Sequence, residues 1–204
     1  MRVYDIGTAL GARFLTMELL LGEDLHSKLT RGLTLREGID FLIQTCAGLE
    51  AAHTVGVIHR DIKPENLFVT KENVVKVTDF GIAKQGTQKG LTVAGMVVGT
   101  PEYMAPEQAH GHMEVTPRAD LYSLGIILYY LTTGTLPFRH PELVPLLMMQ
   151  VTQKPDPPHV RNPNVNPAVE ELVMSLLEKE PSLRPPSARA LGERLIDLRL
   201  KGVV

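Results

Sequence analysis

Residues 59–81 read HRDIKPENLFVTKENVVKVTDFG, and this stretch leaves the chain few ways to fold. Asp61 precedes Lys63 and Asn66 closely, with Pro64 between the last two. Pro64 lacks an N–H and biases Lys63 away from the α region, so the segment is predicted to be a shaped loop rather than a helix. A short apolar run at 67–70, the polar turn Lys71-Glu72-Asn73 and an alternating β-branched run at 74–78 predict a β-hairpin. Such a hairpin returns Asp79 to the end where Asp61 and Asn66 lie. Phosphoryl transfer can use that convergence. Asn66 and Asp79 offer hard oxygen ligands to Mg²⁺, and Asp61 can accept the proton of an attacking hydroxyl. Lys63 can neutralise charge on the moving phosphoryl group.

His59-Arg60-Asp61 with Asn66, then Asp79-Phe80-Gly81, then Ala105-Pro106-Glu107 follow one another in this order. Together they resemble the catalytic loop, the metal-binding motif and the end of the activation segment of protein kinases. The resemblance implies an α+β, protein-kinase-like fold, as one N-terminally truncated kinase domain over 1–204. In it, 22–204 form a mainly helical large lobe with the catalytic hairpin. Residues 1–21 form a two-strand remnant of the small lobe and the hinge. It implies ATP and Mg²⁺ as cofactors, and transfer of the γ-phosphate to Ser/Thr hydroxyls of protein substrates. Lys63 together with Thr100 looks like the Ser/Thr branch, since the Tyr branch usually carries Arg and Ala in the catalytic loop. GTPEYMAPEQA, DFGIAK and DLYSLGIILYYLTTGTLPF are most similar to the eukaryotic-like Ser/Thr kinases of bacteria.

Carried over residue by residue, the resemblance makes Asp61, Lys63 and Thr100 catalytic, with Thr100 hydrogen-bonded to Asp61 and Lys63. Met17 takes the gatekeeper position, and the backbones of Glu18 and Leu20 face the adenine edge. Asp24 lies near the ribose and Phe68 below the adenine. Lys63, Glu65, Asn66 and Asp79 complete the nucleotide site, with Asn66 and Asp79 on the metal. Asp120 is expected to hydrogen-bond the catalytic-loop backbone, and Arg184 to pair with Glu107. The polar, Gly-rich run 82–96 resembles an activation segment. Thr92 is its expected regulatory phosphosite, with Thr87 second and Arg60 as the partner of the phosphothreonine.

Periodicity supplies the remaining elements. Strands are expected at 3–6 and 13–20, joined by a turn over 7–11. Thr34-x-x-Glu37 is a capping box opening a helix over 34–53, with Leu35, Ile39, Leu42, Ile43, Cys46 and Leu49 on one face and Gly56 closing it. In the kinase resemblance Leu25 begins a short helix. Residues 120–132 are apolar all round and predict a buried helix, in which Asp120 needs partners. Further helices are expected at 141–151, 168–179 and 187–198, with a loop over 154–167.

A chain that is 44% hydrophobic and 22% charged, with net charge −2, suits one globular domain with a substantial core. It carries no charge footprint for nucleic acid or an anionic membrane. The single cysteine, Cys46, excludes an intramolecular disulfide and suits the cytoplasm. No signal peptide is evident, and the apolar run 124–131 is too short to span a bilayer.

No Gly-x-Gly-x-x-Gly loop occurs, nor a strand lysine followed by a helix glutamate. Val75-Lys76-Val77 looks like such a strand but follows the catalytic loop, and is expected to be hairpin surface. Two expectations follow. The chain is a late-starting part of a Ser/Thr kinase, or it is a catalytically impaired fragment or pseudokinase that acts as a binding scaffold. The complete set of base, metal and seating residues favours the first.

Overall fold

The computed structural model describes residues 3–9, 11–80, 100–110 and 114–203. β1 (Val3–Ala9) and β2 (Ala12–Met17) pair antiparallel as a sheet of their own. Their turn is tighter than the predicted 7–11, because Ala9 faces Ala12 and Gly7 lies in the strand opposite Phe14. Gly11, at φ +80°, supplies the left-handed residue that so short a turn needs. β2 ends at Met17 rather than at 20. Tyr4, Ile6, Phe14 and Met17 stay exposed on this hairpin.

β3 (Gly22–Asp24) was not expected. It pairs antiparallel with β4 (Leu67–Thr70), which pairs in turn with β5 (Val75–Val77). The approach of β3 depends on Gly22, where a Cβ would lie 2.1 Å from the Val69 carbonyl oxygen. The Leu21 carbonyl accepts the Lys71 N–H at 3.0 Å and pins the same junction. The predicted hairpin is therefore the centre and one edge of a three-stranded sheet.

α1 (Leu25–Arg31) is capped by Asp24, whose carboxylate accepts the Ser27 N–H at 2.7 Å. α2 (Leu35–Thr54) opens on the predicted capping box, with the Glu37 N–H donating to Thr34 Oγ1 and the Thr34 N–H to Glu37 Oε2. Ile39, Leu42, Cys46 and Leu49 on its predicted face are buried. α3 (Pro106–His110) is short, and α4 (Arg118–Thr133) is buried along most of its length. α5 (Leu143–Thr152), α7 (Pro167–Leu176) and α8 (Ala188–Leu200) match the expected helices with shifted ends. The run 154–167 is not all loop. It contains α6 (Pro158–Arg161), opened by Pro158 with its preset φ and closed by the Asn162 N–H donating to the Pro158 carbonyl, while Asn162 Nδ2 donates to the Thr132 carbonyl and ties the helix end to α4.

One core joins α2, α4, α7, α8 and the β4–β5 hairpin. α4 and α7 come close because Gly125 has no side chain; a Cβ there would lie 2.7 Å from Leu176 Cβ. Burial in this core pushes the Cys46 thiol up to about 12, so it is an inert core group at neutral pH. Gly81 and the run 82–96, with Thr87 and Thr92, lie outside the described residues.

Candidate active site

The catalytic loop hangs from the first turn of α4. The buried Asp120 carboxylate accepts the His59 N–H at 3.0 Å and the Arg60 N–H at 2.8 Å. Its Oδ2 also lies 2.8 Å from Nε2 of His53, near the end of α2. Arg60 has φ +65°, so Asp120 stabilises a backbone turn that a non-glycine residue resists. His59 is fixed as well. Its Nε2 faces the Thr78 carbonyl at 2.7 Å and its Nδ1 faces the Asp61 N–H at 3.3 Å. A carbonyl only accepts and an amide N–H only donates, so the proton sits on Nε2 and the ring is neutral. The ring packs against Phe80, centroid to centroid 4.7 Å.

Lys63 is extended, as Pro64 requires, and leads into a 3₁₀ turn over Pro64–Asn66. Asn66 Nδ2 donates to the Asp61 carbonyl at 2.8 Å and lies 3.3 Å from Asp61 Oδ2. That orients the amide and leaves its Oδ1 without a hydrogen bond to any described residue. The Asn66 carbonyl accepts the Thr78 N–H at 2.9 Å and the Thr78 hydroxyl at 3.2 Å. This pair closes the sheet end and brings Asp79, the next residue, beside the loop. Asp79 has φ +53°, and its exposed carboxylate makes no hydrogen bond or ion pair with another described residue. Lys63 Nζ donates to Thr100 Oγ1 at 2.7 Å and lies 3.8 Å from Asp61 Oδ2. Asp61, Lys63, Asn66 and Thr100 are thus joined by direct contacts.

An amide oxygen and a carboxylate on adjoining turns suit a hard cation such as Mg²⁺. Among the described residues no group of three or more His, Cys, Asp or Glu could hold a metal by itself. Such a two-ligand set fits an ion that draws its other ligands from phosphates and water.

Asp24 and Phe68 are partners across β3 and β4, so the residues expected at ribose and adenine sit side by side. One Asp24 oxygen is engaged in capping α1. Met17 ends β2 opposite Val3, and Leu20 is half-buried in the link to β3. The Glu18 carboxylate lies 3.5 Å from Lys76 Nζ, giving that hairpin lysine an ion pair across to the link. Glu65, on the 3₁₀ turn, lies 3.7 Å from His26 Nδ1.

A sequence profile of the protein kinase domain matches residues 1–196. Serine/threonine-protein kinase pkn3 of Myxococcus xanthus is 46% identical over 206 residues, covering 95% of this chain and 38% of that protein. Serine/threonine-protein kinase PknA of Mycobacterium tuberculosis is 40% identical over 188 residues, covering 91% and 43% respectively. The chain belongs to the protein kinase family. It spans less than half the length of these bacterial Ser/Thr kinases, and its α+β fold is that of the family.

In this kinase chain the segment after Thr100 is held from several sides. Arg184 Nη1 and Nη2 donate to the two Glu107 oxygens at 2.7 and 2.8 Å, with both side chains fully buried. Its other N–H groups reach the carbonyls of Glu178, Arg118 and Lys179, so the fork is fully used. Gln108 Nε2 donates to the Arg60 carbonyl at 2.8 Å, tying α3 to the catalytic loop. Sequence reasoning missed His53 and Gln108. Each is a lone polar residue in a helix, and only the folded chain brings it to its partner.

Proposed function

We propose that this chain transfers the γ-phosphate of ATP to serine or threonine hydroxyls of proteins. The contact set Asp61–Lys63–Thr100–Asn66 carries this reading. The acceptor oxygen forms the new bond to the γ-phosphorus, the bond to the leaving ADP breaks, and the hydroxyl proton passes to the Asp61 carboxylate. Lys63, held between Asp61 and Thr100, meets the charge that develops on the transferred group. Asn66 Oδ1 and Asp79 would hold Mg²⁺, which when bound neutralises phosphate charge. Asp24 and Phe68 would meet the nucleoside. Thr92 is proposed as the regulatory phosphosite. A cytoplasmic location fits the free, buried Cys46 thiol, and no helix among the described residues is long and apolar enough to cross a membrane.

A second reading, a scaffold that catalyses little, draws on the sequence, which has no Gly-x-Gly-x-x-Gly loop and no lysine–glutamate pair for the α- and β-phosphates. Loss of one preorganised donor alone costs about 10²–10³ in rate. The purified 204-residue chain, given radiolabelled Mg²⁺–ATP and a basic protein, is expected to label Ser/Thr slowly. The rate should fall well below the roughly 1–100 per second usual for kinases. Asp61→Asn is expected to lower it by a further 10²–10⁴, roughly the range of a lost general base. Label on tyrosine would overturn the acceptor assignment, and label undiminished in Asp61→Asn would remove the role of Asp61. Nucleotide binding without any transfer would select the scaffold.

A further inference from the structure

Residues Pro101–Tyr103 form the 3₁₀ turn that follows Thr100, and their carbonyls are held by side chains from α4 and α5. Gln150, fully buried on α5, donates from Nε2 to the Glu102 carbonyl at 2.8 Å and the Pro101 carbonyl at 3.2 Å. Its Oε1 accepts the Tyr122 hydroxyl at 2.7 Å. That hydroxyl accepts from Lys179 Nζ at 3.1 Å, and the same Nζ donates to the Gln150 carbonyl at 2.8 Å. The Ser123 hydroxyl donates to the Tyr103 carbonyl at 2.7 Å.

The direction of this relay is fixed at both ends. A lysine ammonium only donates, and backbone carbonyls only accept. Every bond between them therefore runs from Lys179 towards the turn, and the Gln150 amide has one orientation. Buried links of this kind support one another, because a member that loses its partner leaves a polar atom unpaired in a low dielectric. At its other end the turn begins at Thr100, whose hydroxyl meets Lys63 and, through it, Asp61.

We infer that Gln150 is a positioning residue for the acceptor: it fixes the 3₁₀ turn, and through Thr100 and Lys63 the place of the incoming hydroxyl relative to Asp61. The inference rests on the kinase reading above. The nucleotide-facing residues Asp24 and Phe68 hang elsewhere, on the β3–β4–β5 sheet. Disturbing Gln150 therefore separates the two halves.

The test compares the wild-type chain with Gln150→Leu, which keeps similar bulk, and with Tyr122→Phe, which keeps the ring and removes only the hydroxyl. In Gln150→Leu the KM for an acceptor peptide is expected to rise on the order of tenfold, the effect of about one to two net hydrogen bonds, with the KM for ATP unchanged. Tyr122→Phe shifts the same constant less and in the same direction. Hydrogen exchange gives a readout independent of catalysis. The Tyr103 and Met104 amides, bonded to the Thr100 and Pro101 carbonyls, should exchange faster in both variants, while Asn66 and Thr78 amides keep their rates. Equal changes in both KM values, or unaltered exchange at Tyr103 and Met104, would overturn the inference. A chain that transfers no phosphate at all fails the proposed function instead, and the exchange rates alone then decide whether Gln150 holds the turn.

Discussion

Lys179 keeps its ammonium 4.4 Å from the centre of the Phe138 ring and above Tyr122. Burial, and after it the nearby Arg184, lowers its pKa from 10.5 to about 8. The unfolded chain then holds a proton that the folded chain has released over roughly pH 8 to 10.5, so this group makes stability rise with pH in that window. Cys46 acts oppositely. Its folded pKa is raised from 9.0 to about 12, so its contribution is complete below pH 9 and is lost as the pH climbs towards 12. Tyr122, raised by burial, works in the same sense as Cys46 at still higher pH. Denaturant unfolding of wild type and Lys179→Met, compared pH by pH, cancels Cys46, while Tyr122, bonded to Lys179 and raised from 10.0, enters only above the window compared. The stability of wild type relative to the variant is expected to rise between pH 8 and 10. A flat difference would mean that the ammonium is not desolvated in the folded chain.

Among the elements, β3 depends on its neighbour more than on its own residues. Gly22→Ala would drive a Cβ into the Val69 carbonyl and to 2.8 Å from Thr70 Cα, and backbone cannot swing aside as a side-chain tip can. The expected result is a loss of about 1–3 kcal/mol in denaturant unfolding, with faster exchange at the Lys71 amide that bonds to Leu21. Unchanged stability would mean that β3 is not needed to hold the sheet. The same element marks where the sequence stopped being legible. Gly-Glu-Asp has no strand propensity and no alternation, so only pairing with β4 makes it a strand. α2 was legible because its capping box and apolar face are local signals. In the site, Asp61, Lys63, Asn66 and Asp79 could be read from spacing around Pro64 and a hairpin. His53, Gln108 and Gln150 could not, since a polar residue on a helix says nothing of the distant carbonyl or carboxylate it will meet.

For the whole molecule, the Glu107–Arg184 pair joins α3 to the segment between α7 and α8. Arg184→Met leaves a buried carboxylate without its partner and is expected to cost about 3–5 kcal/mol in unfolding free energy. Arg184→Lys should not restore it, because three donors on a flexible stem cannot replace a planar fork whose N–H groups are all engaged. Full stability in Arg184→Lys would show that charge alone suffices. The two partners are 77 residues apart in the chain. A ribosome adding about 5–20 residues per second needs roughly 4–15 s to pass from one to the other. Through that interval the turns bearing Asn66 and Asp79 are already made, while Glu107 has no guanidinium to pair with. Each newly made molecule therefore carries the residues around Asp61 before the guanidinium that fixes α3, so on the proposed reading the acceptor side is the last to be completed.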